Sequence, residues 1–121
     1  VTPRLFHFTC ADHGFSGIGS RGLIVPRQGR TLFGVSHLDW GVVWLTSGDH
    51  DATGMGKSGF EVCDRSEYRY VVTDTSTCER WLDSRVRKEA DVMEGLIDLL
   101  EMTGDASTWW ISKEPVPARL A

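Results

Sequence analysis

The stretch that most restricts the fold is Leu5-Phe6-His7-Phe8-Thr9-Cys10, near the start of the 121-residue chain. Its side chains alternate with the period of a strand, which puts Leu5, His7 and Thr9 on one face and Phe6, Phe8 and Cys10 on the other. One face is greasy. The other sets an imidazole beside a hydroxyl, which suits a ligand better than a core. A strand over residues 4–10 needs partners. The sequence offers Val42-Val43-Trp44-Leu45-Thr46, Phe60-Glu61-Val62-Cys63, Tyr68-Arg69-Tyr70-Val71-Val72 and Trp109-Trp110-Ile111-Ser112, all rich in β-branched or aromatic residues.

Helix signals are fewer. Residues 12–20 read as a short helix weakened by Gly14, Gly17 and Gly19. Ser76 followed by Glu79 has capping-box spacing, which predicts a helix running on through Trp81, Leu82 and Val86. Val92, Leu96, Leu99 and Leu100 fit one apolar face of a second helical stretch, with Gly104 as its stop. Pro115 and Pro117 read as the end of the last strand. Residues 26–40 and 47–59 read as loops, the first glycine-rich and anchored by Leu32, Phe33 and Val35. The expected fold class is α+β, in a single domain over residues 1–121. Hydrophobic residues at 40% and charged residues at 25% are enough for such a domain to bury its own core.

A net charge of −4 argues against a protein that coats nucleic acid, because phosphate binding needs clustered positive charge. Arg21, Arg27 and Arg30 leave room for a local basic strip. Three widely spaced cysteines make a poor disulfide framework and fit a reducing compartment. No apolar run approaches the roughly 18 to 20 residues of a membrane span. A cytoplasmic location is expected. Three lysines against ten arginines, with no asparagine, point to a GC-rich bacterial or phage source, in which case the location is the host cytoplasm.

The His-bearing first strand, the turn Gly22-Leu23-Ile24-Val25-Pro26 and the second strand ending Trp44-Leu45-Thr46 together resemble the ADP-ribosyltransferase superfamily. The similarity is to its small prokaryotic branch, near the DNA-modifying toxins and the RNA 2′-phosphotransferases. The resemblance implies an ADP-ribosyltransferase-like split β-sandwich of two small antiparallel sheets, with a long C-terminal helical segment and a nucleotide in the cleft. It implies NAD as substrate and no metal. His7 would then bond the ribose next to the adenine, with Thr9 beside it. Trp44 and Thr46 would stand across the cleft, near the nicotinamide, and Arg69 would contact phosphate. A transferase of this type cleaves the nicotinamide bond, and a nucleophile on a macromolecular target captures the ribose. The family's late-strand glutamate has no counterpart, because Trp109 and Trp110 occupy those positions. Glu114 is the acid left for that role.

Bland readings stand beside these: His7 bonded to backbone, Trp44 and one of the Trp109-Trp110 pair in the core, and Arg69 on an edge strand. The other indole of that pair would face outward or into a cleft, as a stacking platform. A second functional class is a non-catalytic bacterial or phage accessory factor, gripping a partner through Trp40, Trp109 and the 26–40 loop. Three further patterns carry little. Gly54-Met55-Gly56-Lys57-Ser58 lacks the first glycine of a phosphate-binding loop. His7, Cys10 and His13 do not converge on a strand, and Asp49-His50-Asp51 reads as a solvated loop.

Overall fold

Among the described residues, seven strands pair antiparallel into one sheet. They are β1 (Phe6–Thr9), β2 (Leu23–Ile24), β3 (Val43–Thr46), β4 (Tyr68–Val72), β5 (Cys78–Arg80), β6 (Trp109–Ser112) and β7 (Val116–Leu120), in the spatial order β2-β7-β4-β1-β3-β6-β5. The computed structural model describes residues 2–9, 22–26, 41–48, 68–90, 96–102 and 105–121. Its described helices are short: α1 (Arg85–Ala90) and α2 (Leu96–Glu101), with 3-10 turns at Trp81–Asp83 and Ala106–Thr108. The expected split sandwich of two sheets with a long C-terminal helical segment is therefore corrected to one seven-stranded sheet carrying short helices.

Three local differences explain the change. Ser76 and Glu79 do not cap a helix. Asp74 accepts from the Ser76 amide at 3.0 Å and Thr75 O accepts from Cys78 N at 3.0 Å, so the chain turns into β5 instead. There Cys78, Glu79 and Arg80 pair with Ser112, Ile111 and Trp110, giving the β6 backbone a partner that a helix would have denied it. The helix begins later, where Ser84 Oγ accepts from Arg87 N at 3.1 Å, an N-cap. Finally, the residues after Pro115 form β7. Pro117 is tolerated inside it because its carbonyl faces Thr73 N, one residue past the end of β4. The missing N–H thus falls where the β4 ladder has already stopped.

The connection from β6 to β7 bends the sheet. Three residues separate Ser112 from Val116, so the link reaches about 14 Å at full extension. In the sheet, β4, β1 and β3 lie between these two strands, about 19 Å at the usual strand spacing. A flat sheet cannot satisfy both lengths. The seam is the β1–β3 ladder, whose register holds the single pair Phe6–Thr46. Leu5, Ile24, Tyr70, Val72, Val116 and Ala118 on one side of the seam pack with Val43 and Leu45 on the other.

The opposite face of β3 and β6 carries Trp44, Trp109 and Ile111, covered by Val42, Trp81, Val86 and Ile97. Trp44 meets Trp81 at 4.7 Å between ring centroids and Trp109 edge-on at 5.9 Å. Ile97 is thus the α2 side chain seen in the core, whereas Leu96, Leu99 and Leu100 are described through their backbone only, and Val92 lies outside the described residues. The expected helix over 12–20 and strand over 60–63 also lie outside them, as do Arg21, Arg27, Arg30, Trp40 and the three further patterns beyond His7. No described helix is long and apolar enough to cross a membrane.

Glu101 ties this layer together. Its Oε1 accepts from Trp81 Nε1 at 2.9 Å and from Arg87 Nε at 2.6 Å, and Oε2 accepts from Arg87 Nη2 at 3.3 Å. The Arg87 hydrogen bonds are the main cause that lowers the Glu101 pKa from its ordinary 4.5. A carboxylate so lowered stabilises the fold fully above its unfolded-state value, and the contribution is lost as pH falls through the folded-state value. Glu101→Gln is expected to cost about 1–3 kcal/mol at pH 7 in urea unfolding. The gap from the native chain should narrow when the same measurement is made at pH 3.

Candidate functional site

Two places among the described residues of the bent sheet bear on a functional site. The first is the seam. His7 Nδ1 donates to Trp44 O at 2.8 Å, where β1 parts from β3. A carbonyl only accepts, so Nδ1 carries the proton in this contact. His7 pairs in the ladder with Tyr70, which shares the face of Leu45 and Val43. Burial pushes the Tyr70 hydroxyl up, and repulsion from Tyr68 adds to it, so that phenol stays protonated.

The second place is an open cleft of about 440 Å³ lined by Thr2, Pro3, Ser47, Arg80, Ser107 and Trp110. Arg80 and Trp110 are paired across β5 and β6, so their side chains share a face. The guanidinium carbon stands over the indole at 5.9 Å from the ring centroid, within cation–π range. Arg80 Nη2 also donates to Ser107 O, a long bond of 3.5 Å. The rim is built by short local bonds. Asp105 Oδ1 accepts from Ser107 N at 3.1 Å and Ser107 Oγ at 2.6 Å, closing the 3-10 turn. That turn is stitched to β3 by Ser47 N donating to Thr108 O at 2.9 Å. A cation, an indole face and three hydroxyls in one open cleft can hold an anionic group beside a planar one.

The residues expected to form a nucleotide site are dispersed. Trp44 and Thr46 share the tryptophan-cluster face, opposite His7, so they do not meet His7 across a cleft. Trp44 is buried, and Thr46 is 1% exposed, accepting from Gly48 N at 3.0 Å and donating to Thr108 Oγ1 at 3.3 Å. For Thr9 the backbone is described, in register with Tyr68. Arg69 is exposed, with its guanidinium carbon 4.8 Å from the centroid of Phe6. Glu114 lies exposed in the turn between β6 and β7, where Ser112 Oγ accepts from its amide at 3.1 Å and donates to its carbonyl at 2.9 Å.

Of the tryptophan pair, Trp109 is buried and Trp110 turns to the cleft, the two-sided arrangement that alternation predicts. Sequence reasoning missed Arg80 because it fell within the expected helix. Read as strand, Cys78-Glu79-Arg80 places it opposite an aromatic. Ser47, Ser107 and Thr2 carry no sequence signal of their own.

Comparison with protein-family models, curated proteins and solved structures returned no match.

Two outcomes test this description. His7→Ala leaves the Trp44 carbonyl without its imidazole donor and is expected to lower stability by about 1–3 kcal/mol in urea unfolding. Burial, as the largest cause, pushes the Cys78 thiol up to about 11. Peptide mapping after iodoacetamide treatment at pH 8 should show Cys78 alkylated more than about tenfold slower than a free cysteine, because the thiolate is the reacting form.

Proposed function

We propose that this chain is a nucleotide-binding domain, taking NAD, ADP-ribose or a chemically related ligand, and that it acts by binding. The observation that carries this reading is the cleft in which Arg80 stands over Trp110, with Ser47, Ser107 and Thr2 around them. A base has a flat π-face suited to an indole, and a phosphate has the oxygens that a guanidinium fork meets in pairs. The hydroxyls suit a sugar: that of Ser107 donates to Asp105 and that of Ser47 to Thr108 O, which leaves both with lone pairs to accept from sugar hydroxyls.

Group transfer asks for more. A carboxylate must reach the anomeric carbon as nicotinamide leaves. Glu114 is exposed on a turn whose backbone is held by Ser112. The reading is therefore confined to recognition of the nucleotide.

Thermal unfolding of the native chain with NAD or ADP-ribose tests it. Ligand at about 100 times its dissociation constant stabilises the folded state by roughly 2.7 kcal/mol, which should raise the melting temperature by several degrees. The shift should disappear in Arg80→Ala and Trp110→Leu. No shift with either nucleotide, or a full shift retained in both variants, would overturn the reading.

A further inference from the structure

We propose that the Arg80–Trp110 cleft grips a single nucleoside monophosphate unit, so that the rest of a dinucleotide or polynucleotide adds little to binding. The inference rests on the nucleotide reading above and narrows its ligand. Both contacts that hold Arg80 are long: 5.9 Å to the indole centroid and 3.5 Å to Ser107 O. Each sits at the limit of its kind. The guanidinium is thus parked over the ring rather than locked there. It swings aside at small cost, uncovering the indole for a base and turning its fork to a phosphate.

The indole is anchored by its strand and by its packing. Trp110 lies on β6 between β3 and β5, in register with Leu45 and Arg80, and its ring packs against the core on that face. It offers one fixed stacking platform. Among the described residues the lining contains one aromatic side chain and one cation, which match one base and one phosphate. A dinucleotide carries a second nucleoside, for which the described lining has no second aromatic. A polynucleotide carries a row of phosphates, which a chain of net charge −4 with one described lining cation is poorly suited to neutralise. The Asp105 carboxylate is held by Ser107, which donates both its amide and its hydroxyl to it, and Asp105 is not part of the described lining. Stacking is tolerant of base identity, so the four common monophosphates should bind within about threefold of one another.

Titration calorimetry of the whole chain decides the matter, with AMP, adenosine, inorganic phosphate, NAD, ADP-ribose and an eight-residue oligouridylate as probes. AMP should bind at least about tenfold more tightly than adenosine or phosphate, because base and phosphate are held together. NAD and ADP-ribose should bind no more than about threefold more tightly than AMP. Arg80→Ala should reduce AMP to the level of adenosine while leaving adenosine unchanged, and Trp110→Leu should weaken both. Circular dichroism checks folding, with Trp110→Phe as the milder variant if Trp110→Leu unfolds. Tenfold tighter binding of NAD or ADP-ribose than of AMP would overturn the mononucleotide inference and leave nucleotide recognition standing. Tenfold tighter binding of the oligouridylate than of AMP would overturn it in favour of a polymer. Binding by none of the nucleotides would remove both.

Discussion

The three-residue link between Ser112 and Val116 is the constraint on which the rest of the architecture depends. It joins strands that stand four places apart in the sheet. The sheet must therefore curve, and it does so where it has least to lose, at a ladder of one residue pair. His7 sits at that seam. Its imidazole supplies to the Trp44 carbonyl a hydrogen bond that the shortened ladder does not provide. Curvature also explains the core. One cluster gathers side chains from both sides of the bend, while the other lies under the short helices on the far face of β3 and β6.

The edges follow the same logic. Among the described strands the sheet ends on β2 and β5, and both are blunted. β2 is two residues long, and β5 is three residues long with exposed Glu79 and Arg80. Short, charged edges resist adding a foreign strand. Gly22, with φ of +67°, turns the chain so that β2 meets β7, and its carbonyl accepts from Ala118 N at 2.9 Å. A side chain there would strain the turn. The cleft uses the other edge. Arg80 reaches it because β5 lies beside Trp110, so a strand that guards an edge also carries the cleft's cation.

Strands whose own residues alternate or branch were legible before the fold was known. Tyr68–Val72 and Trp109–Ser112 stand where their composition puts them, and Phe6–Thr9 and Val43–Thr46 are trimmed versions of the expected spans. What local patterns could not reveal was pairing. Cys78–Arg80 has helix-start spacing beside it, yet the unpaired side of β6 outweighs that preference. Val116–Leu120 contains a proline, and only its register beside Thr73 shows why that is tolerated. The functional residues divide in the same way. The alternation of Trp109 and Trp110 predicts one indole at a surface, but the partner that gives the indole chemical meaning comes from a distant strand. His7 is legible as an unusual residue in a greasy strand; its bond to a neighbouring backbone is a product of the bend.

β7 lies between β2 and β4, with Val116 and Pro117 opposite Ile24 and Leu23, and Ala118, Arg119 and Leu120 opposite Val72, Val71 and Tyr70. During synthesis, both of its neighbours leave the ribosome well before it does. Until residues 116–120 emerge, β2 and β4 both lack the pairing that β7 gives them. Folding of this part of the sheet therefore waits on a contact between residues 23–24 and 116–117, far apart in the sequence.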